Sequence, residues 1–330
     1  MLRLGLMLAL FGTPVAATAQ TPDYGADLER FDYPWPVHWF ETRTQGPGVR
    51  MAYLDVRPSG AAKATIVLLH GKNFCAATWE DTIRGLVARG YRVIAPDQIG
   101  FCKSSKPAGY QYSFHALAAN TLALLEAAGA GKVALVGHST GGVLATRFAL
   151  LYPDRVSKLV LVNPLGLNDT LAEGVPYTPL DTLRAEEAKT NAASIKAYQQ
   201  RNYYNGQWRP AYDRWVAMLA GQYASKRGGT VREAQARLSD MIQTQPVADE
   251  LGRVRTPTTL IIGQTDKTAF RANTAPEALR GKVRAVPQAA ETAVGAFPDA
   301  RLVRLDGLGH SPQVEDSERF LSVLDEALER

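Results

Sequence analysis

The sequence predicts an α/β fold, a mostly parallel open sheet with helices on both faces and a helical block inserted between two strands. Three observations point there. Short apolar runs of strand length alternate with amphipathic helical stretches along the first half of the chain. The alternation stops between about residues 166 and 255, where helical and polar patterns rich in aromatics take over. Two further apolar runs then precede a last helix. The 330 residues, 46% of them hydrophobic, are enough for a sizeable core.

The chain opens with "MLRLGLMLALFGTPVAATAQ". Arg3 is a minimal positive start, Leu4 to Phe11 is an apolar stretch too short to span a bilayer, and Ala17-Thr18-Ala19 is a cleavage signal. Residues 1–19 are therefore expected to be a signal peptide, which places the mature protein in a periplasm-like or secreted setting with no membrane association. Residues 20–165 then form the first part of the core, 166–255 a helical cap and 256–330 the second part.

"PVHWFETR" and "VRMAYLDV" read as an antiparallel pair at the sheet edge. "ATIVLLHG" (64–71) is a buried strand, "TWEDTIRGLVARG" (78–90) a helix and "YRVIAPD" (91–97) a strand. A helix over 112–129 has Ser113 as its N-cap. A strand over 132–138, a helix over 141–153 and a strand over 156–164 complete the first half. After the insertion come strands at 257–266 and 300–310 and the helix "SERFLSVLDEALER".

The net charge of +5 is scattered, with no basic run, so nucleic-acid binding is not expected. The two cysteines, Cys75 and Cys102, do not sit at zinc spacing with histidines, and no metal site is expected.

The strand-to-helix turn "GHSTG" (137–141) fits G-x-S-x-G, the nucleophile-elbow pattern. Gly137 and Gly141 would let strand and helix approach closely around Ser139. The alternative is a serine that merely caps the helix. A serine nucleophile needs a base, an orienting acid and donors for an oxyanion. His310 follows the last strand and can reach the elbow, whereas His70 is expected to brace a loop. Asp266 ends the preceding strand and is the expected acid. Asp97 reads as a turn brace, and Asn163 cannot carry charge. The oxyanion donors are expected to be the backbone amides of Thr140 and Lys72, with Asn73 next in line. Phe74, His138, Tyr203, Tyr204 and Trp208 are the candidate substrate contacts, although aromatics at helical spacing are more often plain core.

With "HGKNF", "PDQIGFCKSSKP", "GHSTGG", "GQTD" and "GLGHSPQVE" together, the chain resembles the α/β-hydrolase superfamily from about residue 50 onward. The chain order Ser139, Asp266, His310 matches that superfamily. The resemblance implies a serine triad without metal or cofactor, a cap, and an ester or lactone as small-molecule substrate. Macrolide esterases are one relative in the secreted esterase branch it implies. Serine at the elbow argues against epoxide hydrolases and dehalogenases, which carry a carboxylate there. The alternatives are a carbon–carbon hydrolase or other acyl-transfer enzyme on the same triad, or an inactive binding protein. Some relatives carry the acid after the preceding strand, where Asp169 stands. The implied topology also brings the loops holding Cys75 and Cys102 together, either as a disulfide or as two separate buried thiols.

Overall fold

The computed structural model describes residues 21–46 and 48–330, so the expected signal peptide lies outside the described residues. Eight strands run in the order β1-β2-β4-β3-β5-β6-β7-β8. They are β1 (His38–Arg43), β2 (Gly48–Val56), β3 (Thr65–Leu69), β4 (Arg92–Pro96), β5 (Val133–His138), β6 (Val156–Val162), β7 (Thr258–Gly263) and β8 (Ala300–Leu305). β1 and β2 pair antiparallel, β2 joins β4 antiparallel, and every later pairing is parallel. Strands β3 to β7 are near-continuous apolar runs because helices cover both of their faces.

The two-residue side-chain period divides those runs between two cores. Ile66, Leu68, Val93, Val136 and Val160 face α1 (Glu80–Ala88) and, at the chain end, Phe320 and Leu324 of the last helix. Val67, Leu69, Leu135, Leu161 and Leu260 face α2 (Phe114–Ala127) and α3 (Thr140–Leu151). Ser113 caps α2 by accepting from the Ala116 amide at 3.0 Å.

Between β6 and β7 the chain forms α4 (Leu180–Glu187), α5 (Ala192–Asn202), α6 (Asp213–Tyr223) and α7 (Gly228–Thr244). α8 (Glu277–Arg280) and α9 (Val286–Ala293) follow β7, and α10 (Pro312–Glu315) and α11 (Ser317–Glu329) close the chain. β6 and β7 are neighbours in the sheet, with Leu159 opposite Thr258. The strands are parallel, so the insertion leaves at the carboxyl end of β6 and returns to the amino end of β7 at the opposite edge of the sheet. Among the described residues, no helix is long and apolar enough to cross a membrane.

Cys75 and Cys102 form a disulfide with a Cα–Cα separation of 5.9 Å. β3 and β4 are direct neighbours, so the loops that follow them emerge side by side. Asp97 ties the same loops together. Its carboxylate accepts from the Ala76 amide at 2.8 Å, the Lys103 amide at 3.1 Å and the Tyr33 hydroxyl at 2.7 Å.

Candidate active site

The turn from β5 to α3 holds Ser139 at φ 54° and ψ −120°, a backbone conformation that costs an L-residue energy. Glycines make the turn possible. A Cβ on Gly137 would lie 2.3 Å from the Gly141 carbonyl oxygen, and one on Gly141 would lie 2.2 Å from the Leu69 carbonyl oxygen. The first of these approaches packs α3 against its own strand, and the second packs it against β3. The Ser139 amide donates to the Val162 carbonyl at 3.0 Å, and its carbonyl accepts from Gly142 and Leu165. No side-chain cap bond forms at Ser139.

His310 follows β8, and its Nδ1 lies 2.7 Å from Asp266 Oδ2, with both side chains fully buried. A carboxylate acceptor at Nδ1 fixes the proton there and leaves the lone pair on Nε2. Nε2 has no hydrogen-bond partner among the described residues. The same Asp266 Oδ2 accepts from Asn163 Nδ2 at 2.8 Å, while Oδ1 accepts from the Thr268 amide at 2.7 Å. Asn163 Oδ1 in turn accepts from the Gly263 amide at 3.0 Å. Asp266 is therefore held from three sides.

The His310 backbone is gripped as firmly. Its amide donates to the Tyr203 carbonyl at 2.9 Å, and its carbonyl accepts from His138 Nε2 at 2.7 Å. The Tyr203 ring stacks on the imidazole with centroids 4.3 Å apart. Both carboxylate oxygens of Glu315 accept from the Gly309 amide, and Oε1 also accepts from Ser311. Burial pushes the Glu315 carboxyl up to about 7, against the pull of those two amides.

The loop after β3 passes against the elbow, since a Cβ on Gly71 would lie 2.9 Å from that of Ser139. A turn closed by the Phe74 amide on the Gly71 carbonyl carries Lys72 and Asn73 between its ends. The Thr140 amide opens α3, where no intrahelical acceptor exists. His70 does brace this region, with Nδ1 2.9 Å from the Gly71 carbonyl and Nε2 accepting from the Gln98 amide at 3.1 Å. Burial lowers its pKa, which keeps it neutral.

The five expected substrate contacts do not line the main cavity, and neither do the side chains of Ser139, Asp266 and His310. A cavity of about 330 Å³ sits between the carboxyl-end loops and the insertion, and its wall includes Lys72, Asn73, Tyr198 and Tyr223. Phe74, His138, Tyr203, Tyr204 and Trp208 are not on that wall. Phe74, Tyr203 and Tyr204 pack with Tyr212 in a small aromatic core, and Trp208 lies against its edge. His138 is fully buried against Phe74 and Trp79, its ring committed to the His310 carbonyl. The Tyr203 hydroxyl accepts from Asn73 on the cavity wall at 2.9 Å. Asp169 caps its own turn, accepting from the Leu171 amide at 2.9 Å, and takes no part in the site.

The residues that reading the sequence passed over are Asn163 and Glu315. Asn163 carries no charge, and its role is to donate, not to act as the acid. The useful signal was its place at the end of β6, beside the strand that delivers Asp266. Glu315 lies five residues after His310, close enough for its carboxylate to fold back on that loop. Among the described residues, one cluster brings three metal-ligating side chains together, Cys75, Asp97 and Cys102. Its two sulfurs are bonded to each other, so it offers no thiolate.

A family model described as alpha/beta hydrolase fold matches residues 64–317. A solved structure of a probable hydrolytic enzyme from Pseudomonas aeruginosa is 52% identical, covers 93% of this chain and 99% of that one, and superposes with a TM-score of 0.92. The 2-hydroxy-6-oxo-2,4-heptadienoate hydrolase of Pseudomonas putida is 36% identical over 33% of this chain and 41% of its own length. The chain thus matches less than half the length of that curated relative. A non-heme haloperoxidase from Rhodococcus erythropolis is 28% identical over 74% of this chain and 85% of its own.

Proposed function

The chain belongs to the alpha/beta hydrolase family, and on that premise we propose that it is a serine hydrolase that cleaves a carboxylic ester or lactone through an acyl-enzyme. The observation that carries this reading is the Asp266–His310 hydrogen bond, which leaves Nε2 unpartnered in a loop pinned to the residue before the elbow serine.

Ser139 Oγ attacks the carbonyl carbon as its proton passes to His310 Nε2. The amides of Thr140 and of Lys72 or Asn73 stabilise the charge that develops on the carbonyl oxygen. As the tetrahedral intermediate collapses, the carbon–oxygen bond to the alcohol breaks and His310 returns the proton to the leaving oxygen. Water, deprotonated by His310, then attacks the acyl-enzyme, and the acid departs as Ser139 recovers its proton. Asp266 orients the imidazole and stabilises its charged form. The insertion acts as a cap over the reacting groups. The Cys75–Cys102 disulfide supports an oxidising compartment, in keeping with a secreted or periplasmic protein.

Turnover of an ester and lactone panel, macrolides included, tests this on wild type and Ser139→Ala. Loss of the serine is expected to remove at least about three orders of magnitude in rate without unfolding the protein. Near-normal cleavage by Ser139→Ala, or no labelling of Ser139 by a fluorophosphonate, overturns the proposal. A carbon–carbon hydrolase on the same residues is the second reading, favoured by the similarity to the heptadienoate hydrolase. Turnover of an oxo-dienoate with no ester cleavage would select it.

A further inference from the structure

The cavity beside the oxyanion loop is electrically balanced from within. Its wall carries two cations, Lys72 and Arg271, and two anions, Glu186 and Glu187. Each cation comes from a loop at the carboxyl end of a core strand, and both anions come from the end of α4. Lys72 Nζ lies 3.0 Å from Glu187 Oε1, with side chains only 16% and 12% exposed. Glu187 Oε2 also accepts from the Tyr223 hydroxyl at 2.9 Å. Arg271 forms a two-pronged pair with Glu186 at 2.9 and 3.0 Å. Every charge on the wall thus has a partner built into the protein.

Neutral groups make up the rest of the wall. Leu183, Ile195 and Phe270 supply apolar surface, while Gln222 and Gln235 supply amides. A carboxylate entering this space must compete with Glu187 for Lys72, and it meets two like charges in a partly dry site. That juxtaposition is the usual way a site rejects a wrong partner. Burial alone would raise the Glu187 carboxyl, but the Lys72 ammonium and the Tyr223 hydroxyl hold it below the ordinary range, so the anion persists at neutral pH.

We infer that this cavity selects substrates whose non-reacting part is uncharged and of moderate size, and that Glu187 is the residue that excludes carboxylate-bearing ones. The inference rests on the proposed ester hydrolysis for its chemistry, but not for its binding site. Occupancy by an uncharged chain leaves both ion pairs intact, and the Gln222 amide remains to pair with an ester oxygen or hydroxyl.

Dimethyl adipate and monomethyl adipate, which share one carbon chain and differ by one charge, provide the test. Their binding to Ser139→Ala protein is measured by calorimetry, and hydrolysis of the diester is measured on wild type. The diester is expected to bind at least tenfold more tightly than the monoester. Adding Glu187→Gln frees the Lys72 ammonium and should reduce that preference to about twofold or reverse it. The further change Lys72→Met in that background removes the unpaired cation and should restore the preference for the diester. Equal binding of the two ligands, binding of neither, or a preference untouched by Glu187→Gln overturns the inference. Selective binding without any diester hydrolysis by wild type would instead sink the serine-esterase reading and leave the cavity assignment standing.

Discussion

Asn163 donates its side-chain amide to Asp266 at 2.8 Å, across the gap between the ends of two neighbouring parallel strands. Its own carbonyl oxygen holds the Gly263 amide, so one buried side chain fixes both the carboxylate and the strand that delivers it. Asn163 sits at φ 41°, in the left-handed region that Asn and Asp tolerate better than Ala. Asn163→Ala should therefore lose about 2–4 kcal/mol of stability from the strained backbone and the unpaired amide. It should also lower kcat by about ten- to a hundredfold with little change in KM, because the imidazole is less well oriented. Asn163→Asp keeps the backbone preference and the acceptor for Gly263, but it sets a second carboxylate against Asp266. It should fold better than the Ala variant and still lose turnover at neutral pH. Steady-state kinetics and denaturant melts on both variants check this, and unchanged kcat in both would remove Asn163 from any positioning role.

Tyr204 stacks on Tyr212 with centroids 4.0 Å apart and is buried. Truncation to Ala should cost about 3–5 kcal/mol, as large aromatic deletions in cores do. It should depress all ester substrates alike. A change of selectivity between large and small esters without lost stability would return Tyr204 to the substrate surface.

Glu315 should leave a pH signature on stability. Its folded-state value is raised to about 7 by burial, whereas an exposed glutamate titrates near about 4.3. Between those values the folded protein holds a proton that the unfolded chain has released. Unfolding free energy from this group therefore falls as pH rises through that window, and the full cost is present above it. Glu315→Gln removes the titration. Denaturant midpoints at pH 5, 6, 7 and 8 should show wild type losing stability relative to the variant as pH rises. Parallel curves would contradict the assignment.

The disulfide closes a loop of 27 residues, which in the chain-entropy model stabilises by about 3.5 kcal/mol. Cys75→Ala combined with Cys102→Ala should lose roughly that much, and reduction of wild type should lower its melting temperature similarly. The loop from Gly71 to Cys75 also carries the Lys72 and Asn73 amides. Activity of the double variant should therefore fall beyond what the unfolded fraction explains. A melt unaffected by reductant would argue against the bond.

The sheet was legible in the sequence because strands buried on both faces leave uninterrupted apolar runs, as in "TIVLL" and "TTLIIG". Strand ends were less legible. His70 and Gly71 continue the pattern of β3 but leave the sheet, because the chain must turn across Ser139 there. Ser139, Asp266 and His310 stood out because each lies at the carboxyl end of a strand. The neighbours that hold them did not, since Asn163 and Glu315 act through hydrogen bonds between segments far apart in sequence or folded back on a loop. The aromatic residues of the insertion were ambiguous for a physical reason. Helical spacing places a ring on a face, but it does not say whether that face meets another helix or a cavity. Tyr198 and Tyr223 line the cavity, while Tyr204 packs among other rings and Tyr203 lies against the His310 imidazole.

The hydrogen bond from Asn163 to Asp266 joins the last residue before the insertion to a residue just beyond its return strand. The segment between β6 and β7 crosses from one edge of the sheet to the other, and it carries the Tyr203 carbonyl that accepts from the His310 amide as well as the Glu187 carboxylate that pairs with Lys72. A segment tied in this way is wall and scaffold at once. A change near Tyr203 disturbs the histidine loop together with the wall of the cavity. An engineer who exchanges the segment between Asn163 and Thr258 therefore has to carry Tyr203 across with it to keep the base in place.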